Sequence, residues 1–438
     1  LEDVHRSVKV PKHSEGFWKK WRAYSGPALL VSVGYMDPGN WATDLEAGAR
    51  YQYGLLWVVG LSSIMAIFLQ IVAARLGVVT GRDLAQACCD FYPRWSRWPN
   101  WIACEIAIAA CDLAEVLGSA VALKLLFGIP LLLAVVITAF DVLVLLTLQR
   151  FGIRKIEAFI FVLVATIAVC YFIQIFVFEK TRPDFWLIGR GLFRPTLGQA
   201  GMLALAIGII GATVMPHNLY LHSALVQTRQ FQADEESIRT AIRFNSLDSV
   251  ISLSLAFLIN AAILIMAATT FYGMQDFKLP DGRLLGDDWI QGAYMTLTPL
   301  LGTTLASTLF AVALLASGQS STVTGTLAGQ VVMEGFMNWR ILPWLRRFIT
   351  RAVAIVPAVV VIALGGEHSV NDLLVYSQIL LGLQLPLAMV PLMQFTSSRR
   401  RMGQFVNPWW LQITGWGSTI LITILDCYLL MQKIFGWE

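Results

Sequence analysis

Two stretches decide the fold: Gly34-Tyr35-Met36-Asp37-Pro38-Gly39-Asn40 and Gly211-Ala212-Thr213-Val214-Met215-Pro216-His217-Asn218. Each sits inside an apolar run long enough for a helix, and each interrupts it. A proline in mid-helix removes one backbone hydrogen bond and clashes with the preceding turn, and glycine adds further cost. Both interruptions have the form x-Pro-x-Asn and fall near the middle of their runs.

Those runs set the solvent. Of 438 residues, 57% are hydrophobic and 14% charged, with a mean hydropathy of +0.65. A soluble chain carries about 25% charged residues. That shortfall excludes a soluble enzyme, a disordered scaffold or a nucleic-acid binder. The apolar runs are about 20 residues long, which spans a bilayer core. Eleven segments emerge, at 27–47, 54–78, 100–123, 130–149, 155–178, 199–227, 248–271, 295–318, 350–366, 371–396 and 409–432. Their near-continuous hydrophobicity fits helices rather than barrel strands, which would alternate with period two. The expectation is an all-α polytopic membrane protein.

Lys and Arg orient it. With the N-terminus in the cytoplasm, the basic tail (Arg6, Lys9, Lys12, Lys19, Lys20, Arg22) lies inside. So do Arg150, Arg154 and Lys155, then Arg340, Arg346, Arg347 and Arg351, then Arg399, Arg400 and Arg401. Short inner loops rich in Lys and Arg are the usual pattern. Eleven spans then put the C-terminus outside, and loop 272–292 faces outward with Asp276, Asp281, Asp287 and Asp288. That loop is either an acidic mouth that gathers cations or an ordinary solvated loop. No cleavable signal peptide is expected, because the first thirteen residues are polar and no short apolar region follows. The six cysteines show no C-x-x-C spacing and read as small buried apolar residues.

The position of the breaks implies a task. Five spans separate them, so the second unit enters the membrane with opposite orientation. Two five-helix units related by inversion, each opening with a broken helix, point to a secondary transporter. The structural alternative is a pair of proline kinks, which membrane helices tolerate; kinks alone would not need Asp37, Asn40, Met215 and His217. Unwinding frees carbonyls that can ligate a cation, and Gly34 and Ala212 are the expected donors. Asp37 offers a charged oxygen, Asn40 a neutral one and Met215 a thioether. Mg²⁺ and Ca²⁺ take oxygen alone, whereas a thioether favours softer ions such as Mn²⁺, Fe²⁺, Co²⁺ or Cd²⁺.

A carboxylate in the membrane costs roughly 2.5–3.5 kcal/mol on insertion scales and normally has a partner or a task. The third span carries Glu105, Asp112 and Glu115. At 100° per residue the first two share a face and Glu115 lies a turn from Asp112, a stripe about 15 Å long. It suits a proton route, with His217 and His222 as links to the metal. The structural alternative is pairing to Arg347 or Arg351, and both can hold. Gln378 and Gln384 point about 120° apart, so only one faces the site; Gln384, beside Pro386, is the expected one. Gln70 is a further lining residue, whereas Asp141, Asn260 and Asp426 suggest no role.

At this point the residues resemble a known family. Asp37-Pro38-Gly39-Asn40, Met215-Pro216-His217-Asn218 and Gly318-Gln319-Ser320-Ser321-Thr322-Val323-Thr324-Gly325 are similar to the signature segments of the Nramp proton-coupled divalent-metal transporters, from about residue 25 to the end. The resemblance implies a LeuT-type 5+5 inverted repeat with broken helices 1 and 6, plus an eleventh helix. It implies import of Mn²⁺ or Fe²⁺ with protons. Asp37, Asn40, Met215 and the carbonyls of Gly34 and Ala212 would bind metal, and Asp37, His217, Asp112 and Glu115 would carry protons. The family usually has Ala where this chain has Gly34, which alters backbone flexibility but not the carbonyl. Read from its residues alone, 318–325 shows only small side chains suited to close packing at an inner helix end.

Other classes fit less well. A metalloprotease would want H-E-x-x-H, but His217 and His222 lack an adjacent Glu. Ser320 has no visible base, and paired broken helices argue against a passive channel. The nearest alternative is a symporter of amino acids or other small solutes on the same fold. The expected organisation is a basic segment 1–24, repeats 25–185 and 186–397, and a final helix over 398–438. No enzymatic activity, cofactor or nucleic-acid partner is expected; the partners are divalent metal ions, protons and the lipid bilayer of the plasma or inner membrane, with the monomer as the functional unit.

Overall fold

The computed structural model describes residues 5–11, 15–140, 152–177, 182–232, 234–278, 284–287, 289–301, 304–339, 342–366 and 369–435. The described residues are almost all helical, and seven of their helices are long and apolar enough to cross a membrane, with shorter apolar helices at Pro27–Met36 and Phe348–Leu364; the spans are numbered below by the eleven expected segments. Spans two and three are uninterrupted helices, Leu56–Thr80 and Arg97–Phe127, and the fifth is Ile153–Phe176. The fourth is described over Leu131–Thr138; its remainder, with Asp141 and Arg150, lies outside the described residues. The seventh, Glu235–Thr270, is longer than the apolar run because a polar turn opens it with Asp234 as N-cap, accepting from Ser237 N–H. The ninth, tenth and eleventh are Pro343–Gly365, Ser369–Thr396 and Trp409–Phe435. Side chains such as Phe172, Leu258, Val356 and Ile424 stand about 60% exposed on these helices. In lipid that exposure is solvation, not a defect.

The eighth span departs from expectation. It runs over Thr304–Met337, after a separate helix Trp289–Leu301, rather than over 295–318. Hydropathy falls at the hydroxyl-rich stretch beginning at Ser317, although the helix continues. In the helix those hydroxyls bond their own preceding turns: Ser320 to Ser317 O (3.0 Å), Ser321 to Gly318 O (3.2 Å), Thr324 to Ser321 O (2.7 Å) and Thr326 to Thr322 O (2.8 Å). Back-bonding hides the polarity. The stretch 318–325 is therefore the buried middle of this helix, not its inner end, and it packs along span three. A Cβ on Gly318 would strike Ser119, and one on Gly325 would meet Glu115 Oε1 at 2.9 Å.

The start of span one is held by distant groups. Asp248 of span seven accepts the Gly26 and Ala28 N–H groups at 3.1 and 2.9 Å, satisfying orphan donors of a helix start. Arg229, fully buried, pairs with Glu157 of span five at 2.9 Å and donates to Ser25 O. Before it, Val8–Lys9 pair in parallel with Arg229–Gln230, so the N-terminal arm lies against the chain leaving span six.

Candidate functional site

Span one is a helix over Pro27–Ser32 that tightens into a 3₁₀ turn at Val33–Met36 and stops. Asp37 is extended (φ −69°, ψ 167°), and a new helix begins at Pro38. Asp37 caps that helix, its Oδ1 accepting Asn40 N–H at 2.8 Å. The carboxylate thus sits at a positive helix end, while the preceding half-helix directs its negative end at the same place. Proline has no N–H, so residue 38 cannot donate to the Gly34 carbonyl four residues back. The carbonyls of Tyr35 and Met36 are occupied instead by Asn260 Nδ2 (2.7 Å) and Ser317 Oγ.

Span six repeats the device. Helix Met202–Thr213 ends at Val214 (φ −102°, ψ 79°), Met215 is extended (φ −77°, ψ 123°), and Pro216 opens helix Pro216–Leu225. Pro216 deprives the Ala212 carbonyl of its helical donor in the same way. The two breaks meet: a Cβ on Gly34 would overlap the Asn218 amide. Span three closes against Pro38 through Gly118, and span ten meets both breaks, Gln378 against Gly39 and Gly382 against Gly211.

This junction is buried, with Asp37, Met215, Asn218 and Gln378 at 0% exposure and Asn40 and His217 at 1%. Asp37 Oδ2, Asn40 Oδ1, Asn218 Oδ1, Gln378 Oε1 and both ring nitrogens of His217 have no hydrogen-bond partner there. Buried polar atoms are normally satisfied, so this concentration of oxygen lone pairs fits a cation. Among the described residues no three His, Cys, Asp or Glu side chains cluster as a metal centre. The candidate donors are mixed: one carboxylate, amides, carbonyls and a thioether, with Cys111 in the same small buried cluster as Met215.

The lining residues divide. Gln70 donates to Tyr35 Oη at 2.6 Å and accepts from His222 Nδ1 at 2.9 Å, which joins span two to both broken helices. Span ten brings Gln378, not the expected Gln384, against the first break at Gly39, because Gln378 sits level with the small residues Gly39 and Gly211 that let the helix approach. Gln384 stands further along span ten with its amide 3.8 Å from Cys104 Sγ.

The carboxylate stripe is paired to span nine. Glu105 meets Arg346 at 2.8 Å. Arg351 lies 3.8 Å from Asp112 Oδ1 and 3.7 Å from Glu115 Oε2, and Thr322 Oγ1 bridges Glu115 Oε2 and Arg351 Nη2 at 3.1 Å each. The Arg347 side chain lies outside the described residues. Sequence reasoning named Arg346 only as an inner-loop charge and gave no role to Thr322, Asn260 or Ser317; all bond groups that side-chain chemistry alone does not locate. Asp44, 1% exposed and one turn beyond Asn40, was also passed over, although a carboxylate inside an apolar run was there to be seen.

The likenesses agree with this architecture. At 54% identity over 100% of this chain and 97% of its own length, a relative from Nostoc sp. is named divalent metal cation transporter MntH. Another of that name, from Listeria welshimeri, is 49% identical over 99% of this chain and 95% of its own. A crystal structure of the Eremococcus coleocola manganese transporter superposes with a TM-score of 0.89 at 41% identity, covering 100% of this chain and 92% of that one. Mhp1, a nucleobase-cation-symport-1 family transporter, shares the fold at a TM-score of 0.60 and 13% identity, covering 93% of each chain. The model of the family Nramp, natural resistance-associated macrophage protein-like, matches residues 28–432. This chain, with its two facing helix breaks, belongs to the Nramp family.

Proposed function

We propose that the protein imports divalent transition-metal ions, Mn²⁺ and Fe²⁺ and also Cd²⁺ and Co²⁺, together with protons, by alternating access about the two breaks. The observation that carries this reading is the meeting of the two buried breaks, Gly34 of the first against Asn218 of the second, with unpartnered oxygens on Asp37, Asn40 and Asn218 and the Met215 thioether beside Asn218. The names of the relatives support it. Asp37, Asn40, Met215 and the carbonyls of Gly34 and Ala212 bind the ion, with Gln384 joining from span ten and Gln70, His222 and Gln378 lining the path. Protons pass between Asp37, His217 and the Asp112–Glu115–Glu105 stripe, with Arg351 and Arg347 as counter-charges. Repeats 25–185 and 186–397 move against each other. The monomer sits in the plasma or inner membrane with its N-terminus in the cytoplasm and its C-terminus outside.

The test uses proteoliposomes holding the full chain, an external metal and an internal pH dye. Mn²⁺ uptake accompanied by internal acidification is expected. Uptake of an amino acid with no metal flux would overturn the reading in favour of a small-solute symporter.

A further inference from the structure

The second break carries a side chain whose place is set by the first. Asn218 follows Met215 by three residues as Asn40 follows Asp37, so the repeat makes the two asparagines counterparts. Asn218 is fully buried and directs Nδ2 at Met215 Sδ, 3.6 Å away. On its other side is Gly34, where an added Cβ would overlap that same Nδ2. Gly34 is not among the left-handed residues of the chain. Its lack of a side chain serves close approach, not a turn.

Methionine is unbranched with three rotatable bonds, and its sulfur is a weak hydrogen-bond acceptor. Unrestrained, such a thioether presents its lone pairs in many directions, and a ligand must be ordered before it can bind a metal. An amide held against one lone pair leaves the other with a set direction, and preorganisation of this kind strengthens binding without adding a contact.

We propose that Asn218, seated on Gly34, is a positioning residue that fixes the Met215 thioether for soft cations, so that the Gly34–Asn218 contact sets part of the metal selectivity. The inference rests on the metal-binding reading of Met215. It predicts a soft-ion effect transmitted through sulfur: Cd²⁺, the softer ion, depends on Asn218 more than Mn²⁺ does.

The experiment measures KM for Cd²⁺ and Mn²⁺ uptake in proteoliposomes for the wild type, Asn218→Ala, Gly34→Ala, Met215→Ala and the double variant Asn218→Ala/Met215→Ala. Asn218→Ala and Gly34→Ala should each raise the Cd²⁺ KM about tenfold, the equivalent of about 1.4 kcal/mol, and the Mn²⁺ KM about twofold. In the Met215→Ala background, Asn218→Ala should change neither KM further, the non-additivity expected of groups acting through one contact. Cadmium-edge X-ray absorption should show a sulfur neighbour in the wild type that weakens in Asn218→Ala. Equal shifts for both ions, additive effects with Met215→Ala, or an unaltered sulfur signal would each overturn the inference. If Asn218→Ala does not fold, Gly34→Ala perturbs the contact from the opposite side and decides alone. A wild type that carries Mn²⁺ and shows the sulfur signal, with variants that behave like it, sinks this inference only; a wild type that carries no metal sinks the functional reading beneath it.

Discussion

Replacing Arg351 by leucine should cost both stability and proton coupling. Arg351 is 1% exposed, and its guanidinium lies 3.8 and 3.7 Å from the carboxylates of Asp112 and Glu115. At an effective dielectric constant of about 20, a unit-charge pair at such a distance attracts by roughly 4 kcal/mol. Two pairs therefore give a gross attraction of about 8 kcal/mol, much of it offset by desolvating the charges. What a substitution reads is different: leucine leaves two buried carboxylates and Thr322 Oγ1 without their cation, and breaking a buried network this way costs about 3–5 kcal/mol. Against a total stability of about 5–15 kcal/mol, the melting temperature of the detergent-solubilised protein should fall by several degrees. Arg351→Lys retains the charge but not the planar fork, so it should recover only part of the loss. In proteoliposomes, Arg351→Leu should move fewer protons per Mn²⁺ than the wild type, because the cation that poises Asp112 and Glu115 is gone. An unchanged melting temperature together with an unchanged proton-to-metal ratio would refute the argument, since the two carboxylates would then not depend on Arg351.

Three further outcomes follow from the geometry. Met215→Ala should keep measurable Mn²⁺ transport but weaken discrimination against Ca²⁺ and Mg²⁺ in competition uptake, because the remaining donors are all oxygens; unchanged selectivity would reject a thioether role. Asp37→Asn should abolish high-affinity Mn²⁺ binding by calorimetry while preserving the cap to Asn40 N–H, and retained affinity would place the site elsewhere. Asp83 lies outside the spans and caps helix Leu84–Phe91; burial, opposed by backbone hydrogen bonds from Gln86 and Ala85, pushes its carboxyl up to about 7. Its folded value exceeds the unfolded one, about 3.9, so its contribution is full below about pH 4 and is lost as pH rises through about 7. Asp83→Asn keeps an acceptor for Gln86 N–H and removes the titration, so its melting temperature should fall less than that of the wild type as pH rises from about 4 to about 7.

The two helix breaks were legible because breaking a membrane helix leaves a mark in the sequence. Pro38 and Pro216 are incompatible with continuous helix, and the residues beside them, Asp37, Asn40 and Met215, are costly or unusual at mid-membrane unless they bind something. The eighth span was misplaced for the opposite reason. Its serines and threonines count as polar in sequence, yet they spend their donors within their own helix, and Thr322 turns out to bridge Glu115 and Arg351.

The sequence by itself determined the solvent, the two breaks and the chemical type of the side chains beside them, because these follow from local composition and from proline's missing N–H. Only the tertiary structure decided which polar groups meet. Asn260 and Ser317 come from other spans to occupy the Tyr35 and Met36 carbonyls, His222 reaches Tyr35 through Gln70, and Arg346 of span nine meets Glu105. Gly34 looks in sequence like a source of backbone flexibility, and in the folded protein it is the seat of an asparagine 184 positions further along the chain. Such pairings depend on how helices rotate and slide against one another. That is set by side-chain packing summed over whole interfaces, for which no short segment of sequence carries the information.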